Sequence, residues 1–408
     1  MKSKNIFIII LVIIFVFPCL SCQKKNKDNN EKNLNIYIDL KDKSAINIIK
    51  FLTDEYKKEN PDAKLKINDV LGADNIASDI SKGTMADLII TSRNTMIELS
   101  EKGLISDMAQ YYEKNKINDK FYNIIPSYGR VSDKYYGISI LPFSFEVYYN
   151  SDALNKLGIT PLTNIKDILN IAKRLNDNNV KIPVVVPEDL DINLMLSSII
   201  ASNTIKIPRL DSIYDSKDEY RRLNDMQTIF SSINNMVKIS SINKNLFELG
   251  NDSSFTALAK GNIPLVISYS YYFNKIKDEN VSLIENYIVT PNKKENIPVI
   301  VNSLICMPSN GKNSEEAGKF VKYVISDETQ KMLSKKDYIT SSKKTNENLV
   351  GTSQVVAKHL SLGDDNSIIY TYSLPNKLHS IISGKIDNIL QGKYTGNEWQ
   401  DIINEAYK

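Results

Sequence analysis

Short apolar runs alternate with helical patterns from Leu34 onward, and this alternation restricts the chain to a small group of folds. Residues 34–38 (LNIYI) and 87–91 (DLIIT) each predict a buried strand, because they are short, largely apolar and followed by polar residues. Between them, apolar side chains recur at helical spacing up to Asn60-Pro61, where a helix is expected to end. Strands and helices in this order predict an α/β fold with a mainly parallel sheet.

A second unit of the same kind begins after Pro142. Thr163 is predicted to cap a helix with an apolar stripe, and Thr395 with Glu398 is predicted to form a capping box before the last helix. A chain of 408 residues is long enough for two domains, each with its own core. The other predicted elements are strands at 147–150, 182–186 and 264–268 and helices at 194–200 and 315–325.

The first residues predict export from the cytoplasm. Lys2 and Lys4 precede an unbroken apolar run at 6–17, which is the order of charge and hydrophobicity in a secretory signal. The run is short for a membrane span.

Cys22 directly follows a small residue and resembles the acylated cysteine of a bacterial lipobox, although Cys19 stands where Leu is usual. The following residues are polar and typical of a flexible linker. We therefore predict a signal peptide at 1–21 and a lipid-anchored tether at 22–33, which would hold the body on the outer face of the cell membrane. The alternative is an uncleaved apolar anchor, which also leaves the body outside the cytoplasm.

Net charge limits the kinds of binding partner, and cysteine content limits how the body can be stabilised. The net charge is only +3, and no basic tract stands out beyond the tether, so no nucleic-acid partner is expected. After removal of the signal peptide, Cys22 and Cys306 are the remaining cysteines, and an acylated Cys22 cannot pair. The body must therefore be stabilised by its apolar core rather than by a disulfide.

Four segments, in this order along the chain, resemble segments of the extracellular solute-binding proteins (family 1) that serve bacterial sugar importers. They are ADLIITSRNTMIELSEKGLISDM (86–108), KYYGISILPFSFEVYYNSDALNKLGI (134–159), ALAKGNIPLVISYSYYFNKI (257–276) and GKNSEEAGKFVKYVISDETQKML (311–333). The resemblance spans most of the chain beyond the signal peptide.

This resemblance implies a two-lobed, type II periplasmic-binding-protein-like fold with a ligand cleft between the lobes. The first lobe would comprise 34–142 and 290–337, and the second 143–289 and 338–408. The chain would cross between the lobes near 142–147, near 288–291 and again between 333 and 338. The implied partners are a small-molecule ligand, a carbohydrate first of all, and the permease of an ABC transporter. A monomer without cofactor or metal is expected.

The predicted contacts of the first lobe follow two strands, since open α/β sheets bind ligands at the carboxyl ends of their strands. Carboxylates bind sugar hydroxyls better than neutral groups do. A solvated turn explains the first three residues equally well, and helix capping alone would explain Asn94. The predicted residues are Asp39, Lys41, Asp42, Ser92, Arg93 and Asn94.

The predicted contacts of the second lobe are mainly aromatic. Tyr271 stands where the resemblance places a stacking tryptophan, and an aromatic face packs well against the apolar face of a sugar ring. A carboxylate at 146 could bridge two hydroxyls and would be costly if buried without a partner. Packing within the core is the alternative for the aromatic residues. The predicted residues are Phe145, Glu146, Tyr269, Tyr271 and Tyr272. Asn302, which follows the second lobe crossing, is predicted to add a hydrogen bond.

Three other functions remain open at this stage. Adjacent tyrosines with a nearby acid would suit Fe(III), which favours hard oxygen ligands. A lipoprotein that senses its ligand would need the same fold. An extracellular hydrolase has little support, because the two histidines, His359 and His379, form no metalloprotease motif and no GxSxG elbow is present. The sequence therefore predicts binding rather than catalysis.

Overall fold

The computed structural model describes residues 33–69, 76–276, 280–287, 296–301 and 303–408. The predictions for the signal peptide, for Cys22 and for residues 22–32 of the tether lie outside these ranges, as do Asn302 and the lobe crossing predicted near 288–291. Cys306 lies within them and is a buried free thiol.

From Asn33 to Glu101 the chain alternates strands and helices, as its hydrophobic pattern predicts, and from there to Ser139 three short helices precede three short strands. The first strand ends just before Asp42, whose carboxylate accepts a hydrogen bond from the backbone N–H of Ser44 and so begins the first helix. The elements are β1 (Asn33–Asp39), α1 (Lys43–Glu59), β2 (Lys64–Asp69), α2 (Ile76–Ser81), β3 (Leu88–Thr91), α3 (Arg93–Glu101), α4 (Ala109–Lys114), α5 (Ile117–Lys120), α6 (Ile124–Gly129), β4 (Arg130–Val131), β5 (Lys134–Tyr135) and β6 (Ile138–Ser139).

The middle of the chain begins with a strand that is buried along its whole length. A 3-10 helix at Ser270–Lys275 directly follows the strand that contains Tyr269. The elements are β7 (Phe143–Asn150), α7 (Ser151–Lys156), α8 (Asp167–Asp177), β8 (Ile182–Val184), α9 (Ile192–Thr204), α10 (Ile207–Ser212), α11 (Lys217–Arg221), α12 (Asp225–Ser240), β9 (Phe247–Leu249), α13 (Asp252–Ala259), β10 (Leu265–Tyr269), β11 (Val281–Leu283) and β12 (Val299–Ile300).

The last part of the chain is mostly helical. A 3-10 helix at Tyr370–Ser373 lies between two of its α-helices. The elements are β13 (Leu304–Cys306), α14 (Ser314–Val324), α15 (Asp327–Ser334), α16 (Thr352–Leu362), α17 (Asn376–Leu390) and α18 (Glu398–Ala406).

Two separate sheets form the cores of two lobes. The first sheet has the strand order β2-β1-β3-β13-β6, with β1 parallel to β2 and β3 and with β13 antiparallel to β3 and β6. The second has the order β11-β7-β10-β8-β9, and β12 also pairs with β7. The predicted two-lobed α/β fold is thus confirmed, whereas the predicted lobe boundaries stay a prediction.

The second lobe is completed by the C-terminal helices. α17 and α18 pack against each other and against α12, and α16 packs against β7. Trp399, the single tryptophan of the chain, is buried there, and its indole N–H donates to the carbonyl of Tyr220 at 2.7 Å. The apolar stripe predicted for this last helix is therefore part of the core.

Three predicted helix starts differ from the structure. Ser92, not Asn94, is the residue before α3. Asn94 lies inside the helix, and its side chain donates to partners in the second lobe. α8 begins at Asp167 rather than behind Thr163, and the Asp167 carboxylate accepts from the Thr163 N–H at 2.9 Å. Glu398 accepts from the Thr395 N–H as predicted, but it is itself the first residue of α18.

Candidate ligand-binding site

A cavity of about 420 Å³ lies between the lobes, at the carboxyl ends of β1 and β3. Five predicted residues line it together: Asp39, Lys41 and Asp42 after β1, and Ser92 and Asn94 after β3. They meet because parallel neighbouring strands end at the same edge of a sheet. The first lobe therefore supplies a polar half-site.

The two carboxylates after β1 are held in different ways. Asp39 accepts from the Thr91 hydroxyl at 3.3 Å, and burial raises the pKa of its carboxyl group. Asp42 is almost fully buried as the cap of α1 and accepts from the Ser44 hydroxyl at 2.7 and 2.8 Å. Burial, together with the neighbouring Glu188 carboxyl, raises the pKa of Asp42 to about 7.

The second lobe supplies five lining residues that the sequence did not single out: Glu188, Asp189, Tyr372, Asn376 and His379. The two acids follow β8, so the rule that ligands lie at carboxyl ends of strands could have identified them. No comparable sequence signal marks the other three, because they reach the cleft from the C-terminal segment.

The two half-sites touch at one edge of the cavity. A Glu188 carboxylate oxygen accepts from the backbone N–H of Lys43, the first residue of α1, at 3.2 Å. A carboxylate at this end of a helix is favoured by the exposed N–H groups there. This contact links the loop after β8 to the first lobe across the cleft.

Two polar atoms in the cavity wall have no partner at normal hydrogen-bond distance within the described residues: the Tyr372 hydroxyl and Oδ1 of Asp189. Tyr372 is only 2% exposed. The two groups are neighbours. Burial is the main cause of both raised pKa values, and a hydrogen bond between the Tyr372 hydroxyl and the Asp189 carboxyl group also contributes, lowering the pKa of Asp189 and raising that of Tyr372. Buried polar atoms are normally paired, so these two are candidates for ligand contacts.

Asn94 lines the cavity, but its side-chain amide is already engaged in hydrogen bonds within the protein. Its side-chain amide donates to the carbonyls of Thr371 and Leu374 at 3.4 and 3.2 Å and to Oδ1 of Asn376 at 3.1 Å. His379 is positioned by the same segment, because its Nε2 contacts the Thr371 carbonyl at 2.8 Å. Burial lowers the pKa of His379, which favours the neutral ring.

Arg93 does not line the cavity and is completely buried between the lobes. Its guanidinium pairs with Asp211 at 2.6 Å and donates to the carbonyls of Tyr128 and Arg130. In contrast to the prediction of a ligand contact, the structure gives Arg93 a full set of protein partners. The pair of Arg93 with Asp211 connects α10 of the second lobe to the first lobe.

Glu146 is likewise not brought to the cavity. It is fully buried on β7, where its carboxylate meets Nδ1 of His359 at 3.0 and 3.1 Å and the Ser144 hydroxyl at 2.5 Å. Nε2 of the same histidine contacts the Glu285 carbonyl at 3.2 Å. The cost of burying this acid is thus offset by a partner 213 residues away.

The predicted aromatic residues form a cluster beside the cavity rather than lining it. Tyr269 and Tyr271 stack with ring centroids 5.9 Å apart, and Tyr271 lies 6.0 Å from Tyr338 of the segment after α15. Tyr272 stacks on Phe255 at 5.1 Å. Tyr269 is buried, which raises the pKa of its hydroxyl, and it lies close to Asp42 and Ser44.

Phe145 is 1% exposed and packs edge-on against Tyr287, with centroids 6.4 Å apart. The structure therefore places it in the core of the second lobe. Packing within the core was the alternative for this residue, and the described contacts are of that kind.

A smaller apolar cavity of about 120 Å³ lies within the second lobe, between α8, α9, α12 and α17. Its lining is mainly Ile and Leu, including Ile199, Ile200 and Ile386. Among the described residues, no group of three or more His, Cys, Asp or Glu side chains is arranged to hold a metal ion. In the same ranges, no helix is both long and apolar enough to cross a membrane.

Two α/β lobes with a polar cavity between them define a protein that encloses a small ligand, and comparison with known proteins agrees with this class. The model of the family of bacterial extracellular solute-binding proteins matches residues 43–331. The chain belongs to this family. No curated protein sequence matches it significantly.

Solved structures of similar fold include three binding proteins. The sugar-binding protein MalE from Xanthomonas citri is 11% identical, with a TM-score of 0.68 over 92% of this chain and 96% of that one. A family 1 extracellular solute-binding protein from Bifidobacterium longum subsp. infantis is 16% identical, with a TM-score of 0.67 over 92% and 98%. The GacH receptor of Streptomyces glaucescens, solved unliganded and with acarbose, is 13% identical, with a TM-score of 0.64 over 92% and 97%.

Proposed function

We propose that this protein is an extracellular lipoprotein that captures a carbohydrate in the cavity between its lobes and delivers it to the permease of an ABC transporter. The observation that supports this most is the cavity itself. It is polar, and it lies where the carboxyl ends of β1 and β3 face the loop after β8.

The chemistry of the lining suits a ligand rich in hydroxyl groups. Asp39, Asp189 and Glu188 offer carboxylate acceptors, and Ser92 and Tyr372 offer hydroxyls that can donate or accept. Structures of similar fold include the GacH receptor in complex with acarbose, a cyclo/maltodextrin-binding protein in complex with maltotetraose and a chitin oligosaccharide binding protein. These similarities support a carbohydrate as the class of ligand for this chain.

The proposed mechanism is capture by closure of the lobes. A ligand that contacts both half-sites stabilises the arrangement in which the lobes approach each other, since it loses those contacts when they separate. The closed form would be the one that the permease recognises. The chemistry requires no bond to be made or broken, which agrees with the binding function of the family.

A thermal-shift screen of the protein without its first 21 residues tests the proposal. Mono- and oligosaccharides should raise the melting midpoint, because a ligand that binds only the native state stabilises it by RT ln(1 + [L]/Kd). Inorganic phosphate and Fe(III) serve as comparison ligands. A shift with Fe(III) alone, or with no saccharide, would count against carbohydrate capture.

Anchoring through Cys22 has its own test. The Cys22→Ser variant should be released from the membrane fraction and should no longer incorporate radiolabelled fatty acid. Cys306→Ser, which changes a buried cysteine of the body, is the matched control and should remain membrane-bound. Retention of Cys22→Ser on the membrane would favour the uncleaved apolar anchor instead.

A further inference from the structure

The cavity between the lobes has a marked excess of acidic over basic side chains. Within the described residues, its lining contains five carboxylates and a single cationic side chain, Lys41. Arg93, the nearby arginine, is fully buried and engaged with Asp211, so it does not contribute to this surface. The acids are Asp39, Asp42, Glu98, Glu188 and Asp189.

Contacts within the protein account for only part of this charge. Glu98 pairs with Lys102 at 2.5 Å, and Asp42 is held by Ser44 as a helix cap. Asp39 accepts from the Thr91 hydroxyl at 3.3 Å, with the Lys41 cation nearby, and Oδ1 of Asp189 has no partner at normal hydrogen-bond distance among the described residues. Burial raises the pKa values of both Asp39 and Asp189, as expected where carboxylates lie close together with little solvent.

A second feature, independent of the number of acidic side chains, is a pair of neighbouring polar groups in the cavity wall. The Tyr372 hydroxyl is buried at the cavity beside the Asp189 carboxyl group, and a hydrogen bond between the two contributes to their pKa values, although neither this hydroxyl nor Oδ1 of Asp189 has a partner at normal hydrogen-bond distance within the described residues. Because the contact between the two groups is loose, a stronger donor to Asp189 would leave the Tyr372 hydroxyl free to donate to another acceptor. A ligand with a cationic N–H donor beside a hydroxyl oxygen would satisfy both atoms at once.

We propose that the cavity binds a saccharide that carries protonated amino groups. In an amino sugar, an ammonium group and a hydroxyl stand on neighbouring carbon atoms, which matches the adjacent Asp189 and Tyr372. The ammonium group would donate to Asp189 and face Asp39 across the cavity. This inference rests on the proposed carbohydrate function and specifies the charge of its ligand.

Isothermal titration calorimetry with two disaccharides tests it. The probes are the β-1,4-linked disaccharide of glucosamine with free amines and the same disaccharide with both amines acetylated, measured just below neutral pH with the full chain. The free-amine probe should bind at least about tenfold more tightly, since a hydrogen bond between charged groups is roughly twice as strong as a neutral one. Spermidine, which is cationic but has no hydroxyl groups, is the control for binding through charge alone.

Substitutions show whether the preference arises in this cavity. Asp189→Asn keeps the shape of the side chain and removes its charge, so the ratio of the dissociation constants of the two disaccharides should fall toward one. Asp39→Asn is the second test and serves if the first variant does not fold. Glu315→Gln removes the same charge from a side chain that is 84% exposed on α14, and it should leave the preference unchanged.

The outcomes separate this inference from the proposed function. Equal or tighter binding of the acetylated probe would overturn the amino-sugar inference and leave carbohydrate capture standing. A preference for the free amine that survives in both Asp39→Asn and Asp189→Asn would overturn the assignment to this cavity. Binding of spermidine with neither disaccharide would overturn both the inference and the carbohydrate function.

Discussion

The buried ion pair between Arg93 and Asp211 makes a quantitative prediction about what holds the lobes together. The guanidinium is fully buried, the carboxylate side chain is 6% exposed, and they lie 2.6 Å apart. Arg93→Met keeps most of the side-chain volume but leaves Asp211 without a counter-ion. It also removes the donor to the backbone carbonyls of Tyr128 and Arg130.

The expected loss is about 3–5 kcal/mol of the free energy of unfolding, the usual cost of removing one partner from a buried ion pair. Arg93 opposes the rise that burial causes in the pKa of Asp211, so its removal should push that pKa higher. Protonation of the orphaned carboxyl group then limits the loss, which should be smaller at acidic pH than at neutral pH. The double variant Arg93→Met/Asp211→Leu should recover most of the stability, because no buried charge remains.

Urea unfolding gives the measurement, and the single tryptophan, Trp399, provides a fluorescence probe within the second lobe. Circular dichroism should follow the same transition if the lobes unfold together. Arg130→Met is the matched control, since its pair with Asp365 is 39% and 29% exposed and should be worth at most about 1 kcal/mol. A loss below about 1 kcal/mol in Arg93→Met, or a double variant no more stable than the single one, would refute this account of the interface.

Three further predictions concern the core and the cleft. His359→Ala should lower the free energy of unfolding by about 3–5 kcal/mol, because it leaves Glu146 buried without its partner, whereas Glu146→Gln should lose less; equal losses in urea melts would argue against a charged pair. Phe320→Ala should cost about 3–5 kcal/mol, since the ring is buried against Tyr56 at 5.1 Å, and an unchanged melting midpoint would disprove this packing. The pKa of Asp42 is about 7 in the folded protein and near 4 when unfolded, so its contribution to stability is full below pH 4 and is lost as the pH rises toward 7. Asp42→Asn, which can still cap α1, should flatten that decline in denaturation measured from pH 4 to 7.5, and a decline equal to that of the wild type would place its origin elsewhere.

The elements that could be predicted from the sequence are those whose pattern is local. β1 and α1 follow from short-range hydrophobic periodicity, and their bounds differ from the prediction by at most about two residues. The half-site after β1 and β3 could also be anticipated, because it depends only on where parallel strands end.

The residues whose environment could not be predicted from the sequence contact partners that are distant along the chain. Arg93 and Glu146 are buried against Asp211 and His359, which lie 118 and 213 residues away, and no local pattern indicates such pairs. Asn94 is not the predicted helix cap, since its side-chain partners lie in the segment before α17 and no local pattern indicates them. Tyr372 and His379 reach the cleft for the same reason, through packing of the C-terminal segment that periodicity does not reveal.

A crystal structure of the protein with the saccharide that binds best would test the central claim most directly. The account predicts that the ligand lies between the lobes, in contact with Asp39 on one side and with Asp189 and Tyr372 on the other. A ligand bound in the apolar cavity of the second lobe, or on the outer surface of either lobe, would contradict it.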